Sequence, residues 1–298
     1  MSKFVILGGV PRSGTNLARR IIGSHSKIAI PNGEFQFFNQ LAIGKSVSEI
    51  LDNERVKKWE VDLAPYRDST PQEAFVGVLE DYTKKVGKEI SGEKTPLNEF
   101  FFDELLKYFA EHELRFIHLV RNPFDVLASY KHMKVLKRDQ NYDLNEISFH
   151  MRNWQRSMIL GLARANTHPD QYLVLRYEAL ATEPVALTKK ICEFIGVDFE
   201  EERMLQLSDY SGHRDNTSFA TAQGSEHETY QAIKAPVSRK GHLNETEIRR
   251  ICETCGEAAR AFGYDDPDFE VFPPERGNSG GSVYKKLKGL ARILKPMS

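Results

Sequence analysis

Residues 8–21, GGVPRSGTNLARRI, decide the fold of this chain. Gly9 and Gly14 enclose four residues, which is the glycine spacing of a phosphate-binding loop. The apolar run Phe4–Leu7 before the loop predicts a buried strand, and Thr15–Ser24 after it predicts a helix. A strand, a glycine-rich turn and a helix bring backbone N–H groups and the positive end of the helix dipole together. The sequence therefore predicts an anion site at this point.

The charge of this loop comes from an unusual residue. Thr15 stands where a nucleoside-triphosphate-binding loop has its lysine, and Arg12 supplies the cation instead. Further hydrogen-bonding groups stand at the start of the helix: Ser13, Gly14, Thr15 and Asn16. A nucleoside-triphosphate hydrolase also needs a carboxylate after a second strand to hold magnesium. Here the apolar run Arg115–Val120 is followed by Arg121, so we expect an anion held without a metal.

Short apolar runs alternate with amphipathic segments along the chain. Further strands are expected at Ile28–Ile30, Glu89–Ser91, Arg115–Val120 and Tyr172–Tyr177, and helices at 46–59, 71–86, 98–110, 144–165 and 184–195. This alternation predicts an α/β class, as a P-loop-like three-layer fold with a central parallel sheet flanked by helices. We assign residues 1–275 to this domain and 276–298 to a Gly/Ser linker with a basic amphipathic tail.

The composition excludes several classes of protein. Lys and Arg number 41 against 42 Asp and Glu, so the net charge of −1 gives no broad footprint for nucleic acid. No apolar run is long enough to span a bilayer. Three cysteines predict no disulfide framework and favour a cytoplasmic location. Cys252 and Cys255 fall on one face of a helical pattern, which favours burial over redox or metal binding.

Two motifs resemble those of the sulfotransferases that use 3′-phosphoadenosine 5′-phosphosulfate (PAPS). PRSGTNLARRIIGSHSKI, residues 11–28, is similar to the loop that binds the 5′-phosphosulfate in that family. FIHLVRNPFDVLASY, residues 116–130, is similar to the family's 3′-phosphate motif, with Arg121 followed by Ser129 two helical turns later. The resemblance implies PAPS as donor and no metal. It implies further nucleotide contacts from RYEALATEP and SRKG, at Tyr177, Ser238, Arg239, Lys240 and Gly241. A surface turn is the alternative for Ser238–Gly241.

The resemblance also suggests which residues carry the chemistry. GEKTP has Pro96 where the cytosolic phenol and steroid branch has a histidine, so the chain is closer to the protein-tyrosine and carbohydrate branches. Those branches use a glutamate shortly after the first helix and strand, and IAIPNGEFQFF offers Glu34 there. We assign Glu34 as the general base and Lys94 as the cation on the bridging oxygen. The alternatives are an acid at a helix N-terminus and a solvated loop lysine.

The function implied is transfer of a sulfuryl group from PAPS to a hydroxyl or amine of a carbohydrate, a protein tyrosine or a small molecule. A divergent P-loop kinase or NTPase and a non-catalytic nucleotide-binding protein are the alternatives. We expect no nucleic-acid partner. The basic tail is either a weak membrane-surface contact or a frayed terminus. The acceptor and the oligomeric state stay open.

Overall fold

A computed structural model describes residues 1–132, 144–205 and 238–272, so the predicted linker and tail lie outside the described residues. Within these ranges five parallel strands form one sheet in the order β2-β3-β1-β4-β5. The strands are β1 (Lys3–Gly8), β2 (Ile28–Ala29), β3 (Ile90–Lys94), β4 (Glu113–Val120) and β5 (Tyr172–Arg176). The α/β class with a central parallel sheet is therefore confirmed.

Helices connect the strands and cover both faces of the sheet. The described helices are α1 (Thr15–Gly23), α2 (Phe37–Ala42), α3 (Val47–Leu51), α4 (Glu54–Lys57), α5 (Pro71–Lys85), α6 (Phe102–Tyr108), α7 (Pro123–Lys131), α8 (Leu144–Thr167), α9 (Tyr177–Thr182), α10 (Pro184–Ile195), α11 (Glu201–Leu205), α12 (Glu245–Ala261) and α13 (Asp268–Val271). Among the described helices none is long and apolar enough to cross a membrane.

Alternate residues of β1 face opposite sides of the sheet and so divide the core into layers. Phe4 and Ile6 lie in a cluster with side chains of α5 and α6, whereas Val5 and Leu7 lie with α1 and α10. A further cluster joins α7, α8 and α12, and the free thiols Cys252 and Cys255 are buried in it. The prediction of buried helix-face cysteines is therefore confirmed.

Two predicted helices differ from the structure because of their local hydrogen bonds. Segment 46–59 forms α3 and α4 rather than one helix. Ser46 caps α3 in a reciprocal box with Glu49, and Asn53 caps α4 by accepting a hydrogen bond from the Arg55 amide over 2.9 Å. Segment 98–110 begins as the 3-10 turn Asn98–Phe101 and becomes α-helical only from Phe102.

The order of the strands indicates where on the sheet a ligand site is expected. β1 lies between β3 and β4, and the chain leaves β1 toward the β2–β3 side before it returns to β4. In open parallel sheets, ligands bind at the carboxyl edge where the connections diverge in this way. The segments that follow β1, β3, β4 and β5 meet at this edge.

Candidate active site

The loop after β1 has the backbone of an anion cradle. Gly9 and Gly14 have φ values of 132° and 98°, which side chains rarely adopt. A Cβ at Gly9 would lie 2.3 Å from the Leu119 carbonyl oxygen, and one at Gly14 would lie 2.3 Å from the Tyr177 ring. The loop is therefore packed against β4 and α9. The helix α1 begins directly after Gly14, with no side-chain cap among the described residues, so its first N–H groups point into the loop.

Arginine side chains from two segments meet beside this loop. Arg12 Nε donates a hydrogen bond to Ser129 Oγ on α7 over 2.8 Å. Arg121 Nη1 donates to the carbonyl oxygen of Arg12 over 3.2 Å. The Arg121 guanidinium also lies 4.2 Å from the centre of the Tyr177 ring, and its side chain is buried. The two motifs found in the sequence thus form one site.

The charges of this group favour an anion. Burial lowers the pKa of Arg12, and the charge of Arg121 lowers it further. Burial and then Arg121 likewise lower the pKa of Arg239, with a smaller contribution from Arg12. Asp125 offsets part of this charge, because it accepts a hydrogen bond from the Arg239 amide over 2.7 Å and lies 3.9 Å from Arg121 Nη2. Clustered cations of this kind are a common arrangement for binding phosphate groups.

The remaining sequence-predicted nucleotide contacts divide into two groups. Ser13 and Thr15 are buried in the loop, and Asn16 is partly buried. Ser238 and Gly241 are exposed. The ammonium of Lys240 lies 2.5 Å from Asp266 Oδ1 and 2.6 Å from Asp268 Oδ2. Of the SRKG segment, the structure therefore brings only Arg239 to the arginine group.

Glu34 and Lys94 form a pair on the other side of the loop. Lys94 is the last residue of β3 and is paired in register with Leu7 of β1. Its Nζ donates to Glu34 Oε1 over 2.7 Å, and its side chain is only 2% exposed. The other Glu34 oxygen accepts from Gln36 Nε2 over 3.2 Å and from Arg55 Nη1 over 3.4 Å. The structure therefore brings together the two residues that the sequence assigned to the chemistry.

The ionisation of this pair follows from its burial and its partners. Burial raises the pKa of Glu34, but the charge and hydrogen bond of Lys94, together with Gln36 and Arg55, outweigh this and lower it. Burial lowers the pKa of Lys94, against the raising effect of Glu34. A carboxylate kept ionised near neutral pH can accept a proton, which is what a general base requires.

Comparison with known proteins gives the family. A model described as "Sulfotransferase family" matches residues 5–201. The chain belongs to the sulfotransferase family. Carbohydrate sulfotransferase 5 of Mus musculus is 25% identical over 171 residues, covering 51% of this chain and 42% of that protein. The chain spans between about a quarter and less than half of the length of the curated relatives that it matches.

Solved structures of sulfotransferases share the fold. The sulfotransferase domain of the Synechococcus PCC 7002 olefin synthase matches with a TM-score of 0.55 and 21% identity, covering 90% of this chain and 98% of that chain. Mouse sulfotransferase SULT7A1 complexed with PAP matches with a TM-score of 0.51 and 16% identity, covering 98% and 90% of the two chains.

Two buried carboxylates beneath the loops of this site were not indicated as functional by the sequence. Glu93 lies in β3 beside Lys94, and Glu99 lies in the 3-10 turn before α6. Glu99 Oε2 accepts the Gly9 amide over 2.7 Å, and Glu99 Oε1 accepts Ser157 Oγ over 2.7 Å. Little in the sequence pointed to Glu93, because ISGEK is not an apolar run and its complete burial is evident only in the structure.

Metal ligation has no evident place in the described residues. Within residues 1–132, 144–205 and 238–272, no group of three His, Cys, Asp or Glu side chains is placed to hold a metal ion. The segment after β4 supplies Arg121 and Asn122. The backbone N–H of Asn122 donates to Glu178 Oε1 over 2.8 Å. This segment thus supplies a cation and a capping residue where a magnesium-binding carboxylate would be expected.

Proposed function

We propose that this chain transfers a sulfuryl group from PAPS to an acceptor hydroxyl. The hydrogen bond between Arg12 and Ser129 carries this proposal, because it makes the two motifs one anion site rather than two unrelated turns. Membership of the sulfotransferase family and a fold shared with a PAP-bound sulfotransferase support the same donor. PAP is what remains of PAPS once the sulfuryl group has left.

The residues of the site fit such a donor. The Ser13 hydroxyl is buried and has no hydrogen-bond partner within the described ranges, and the same holds for Arg121 Nε. We assign the 5′-phosphosulfate to Arg12 and the loop residues Ser13, Gly14, Thr15 and Asn16. We assign the 3′-phosphate to Arg121, Ser129, Tyr177 and Arg239. Lys240 is better explained as structural, because it is already paired with two aspartates. Ser238 and Gly241 stay predicted nucleotide contacts.

The chemistry then divides among the side chains beside the loop. When bound, PAPS supplies a sulfuryl group whose bond to the 5′-phosphate oxygen breaks as the acceptor oxygen attacks sulfur. Glu34 accepts the proton of the attacking hydroxyl, a contribution worth about 10²–10⁴ in rate for a general base. Lys94 and Arg12 hold positive charge where the departing phosphate gains negative charge.

We further infer that the acceptor is a sugar hydroxyl and that binding needs no metal. The similarity to a carbohydrate sulfotransferase supports the acceptor class. Pro96 follows the Lys94-Thr95 pair, so this segment offers no histidine to act as base in place of Glu34. A cytoplasmic location also remains a proposal, supported by the three free thiols.

Calorimetric titration with adenosine 3′,5′-bisphosphate and with ATP, each with and without magnesium, tests the donor site. We expect tight binding of the bisphosphate without magnesium and loss of that binding in Arg121→Ala. Preference for magnesium–ATP would contradict the proposal and favour a divergent kinase.

Turnover variants separate an enzyme from a protein that only binds nucleotide. Glu34→Gln is expected to bind the bisphosphate normally and to lose transfer from PAPS to a sugar acceptor. Wild-type protein that binds the bisphosphate but transfers sulfate to no member of a sugar panel would contradict the proposed acceptor class.

A further inference from the structure

We propose that Glu93 is a positioning residue, whose buried carboxylate fixes the loop carrying Glu34 against the strand carrying Lys94. This inference rests on the proposed function for its kinetic consequences. Glu93 is 1% exposed and pairs in register with Ile6 of the central strand β1. Because successive side chains of a strand point to opposite faces, Glu93 and Lys94 leave β3 in different directions. Each nevertheless contacts the Glu34 segment.

Glu93 holds the backbone that directly follows Glu34, the proposed general base. Glu93 Oε1 accepts the Phe35 amide over 3.2 Å and the Thr95 hydroxyl over 2.5 Å. Thr95 Oγ1 in turn accepts the Gln36 amide over 3.0 Å. The two amides that directly follow Glu34 are therefore held by one carboxylate, the first directly and the second through Thr95.

The second oxygen ties this carboxylate to the centre of the sheet. Glu93 Oε2 accepts Asn98 Nδ2 over 2.7 Å, and the same amide group donates to the Leu7 carbonyl oxygen over 3.3 Å. Leu7 immediately precedes the glycine loop. Glu93 thus connects the Glu34 loop, β3 and the end of β1 through Phe35, Thr95 and Asn98.

The loop needs such support because its backbone is unfavourable by itself. Gln36 has φ 56°, a left-handed conformation for a residue that is not glycine. Conformations of this kind persist where surrounding contacts hold them, and they cluster at functional sites. Loss of the two amide acceptors would let the loop relax and would move Glu34 away from Lys94.

The hydrogen bonds that Glu93 accepts from Phe35, Thr95 and Asn98 are called the clamp here. The clamp depends on the ionised form of Glu93. Burial raises its pKa to about 7, against the lowering effect of its hydrogen bonds and of Lys94. Lys94, which supplies this charge, itself responds to Glu34 on the loop and to Arg19 on α1. Protonation puts a hydrogen on one of the accepting oxygens, so the clamp weakens as pH falls below neutral.

The decisive variants are Glu93→Gln and Thr95→Val, with Thr95→Ser as the conservative variant. Both disruptive changes are expected to lower kcat at least tenfold and to leave the affinity for adenosine 3′,5′-bisphosphate within twofold. Thr95→Ser keeps the hydroxyl and is expected to keep kcat. Glu247→Gln, which changes another buried carboxylate in the cap of α12, controls for loss of stability and should keep kcat. Unchanged kcat in Glu93→Gln would overturn the proposal.

The pH profile separates positioning from a general structural role. Wild-type kcat is expected to fall on the acid side near pH 7. In Glu93→Gln the limb near pH 7 should disappear, and the acid limb that remains should follow the Glu34 pKa measured in that variant. A limb at the same pH in both proteins would contradict the role of Glu93.

A readout independent of catalysis keeps this test separate from the proposed function. Carboxyl ¹³C NMR, assigned by comparison with Glu34→Gln, follows the titration of Glu34. We expect a higher Glu34 pKa in Glu93→Gln, because Lys94 no longer lies at 2.7 Å. An unchanged Glu34 pKa would overturn the clamp. Failure of wild-type protein to bind the bisphosphate would instead refute the proposed function and leave this result interpretable.

Discussion

Arg12 Nε donates a hydrogen bond to Ser129 Oγ over 2.8 Å, although 117 residues separate them in the chain. The bond joins the loop after β1 to the second turn of α7. Ser129 is 1% exposed, so the hydroxyl is held in place by the surrounding core. The loop assigned to the 5′-phosphosulfate and the helix assigned to the 3′-phosphate are thereby held together.

Ser129→Ala is expected to weaken binding of adenosine 3′,5′-bisphosphate by roughly tenfold or more, since a hydrogen bond to a charged group contributes about 1.5–3 kcal/mol. Calorimetry measures the change. Ser69→Ala is the matched control, because the Ser69 hydroxyl donates to the Tyr66 carbonyl in the turn before α5. Equal affinities of the Ser129 variant and the wild type would argue against a nucleotide contact at Ser129.

Gly14→Ala tests the close approach of the loop to α9. Its Cβ would meet the Tyr177 ring at 2.3 Å, whereas a Cβ at Gly44 would meet nothing within 4 Å, although both glycines have positive φ. We expect Gly14→Ala to abolish bisphosphate binding. Gly44→Ala should cost only backbone strain, about 1 kcal/mol, and keep binding. Thermal melts with calorimetry measure both, and equal effects of the two substitutions would contradict the steric argument.

Lys94→Met is expected to raise the pKa of Glu34. Lys94 lowers that pKa through its charge and its hydrogen bond, so its removal leaves burial, which raises it, less opposed. Since the base must be ionised, the acid limb of any residual activity moves to higher pH. Arg55→Met should give a smaller rise, because Arg55 lies 3.4 Å from Glu34 and is half exposed. A ¹³C titration measures the Glu34 pKa in both variants. A larger rise in Arg55→Met than in Lys94→Met would contradict the pairing of Lys94 with Glu34.

Glu99 contributes to the dependence of stability on pH. Burial raises the pKa of this carboxyl, so the folded state retains a proton that the unfolded chain has lost, and stability falls as pH rises above the ordinary carboxyl range. Glu99→Gln keeps acceptors for the Gly9 amide and should remove that dependence. Glu99→Leu leaves the amide unsatisfied, at a cost of about 1–3 kcal/mol. Thermal melts at pH 5 and pH 8 compare the three proteins. An equal change in stability between pH 5 and pH 8 in the wild type and in Glu99→Gln would contradict this account.

Much of the fold follows from local pattern. β1, β4 and β5 are apolar runs of a length typical of buried strands, and helices α5, α8 and α10 carry clear periodicity. The division of 46–59 into α3 and α4 was missed because the caps at Ser46 and Asn53 compete with a continuous amphipathic pattern.

The sequence by itself determined the anion loop, the arginine that follows β4 and the serine two turns later, because glycine spacing and helical spacing are properties of neighbouring residues. The family resemblance also pointed to Glu34 and Lys94, which lie in separate segments of the chain. Only the tertiary structure decided that Lys94 reaches Glu34, that Lys240 turns to Asp266 and Asp268, and that Glu93 and Glu99 support the loops. The physical reason is that the role of a buried charge depends on its partners, and here those partners come from segments brought together only when the parallel strands align.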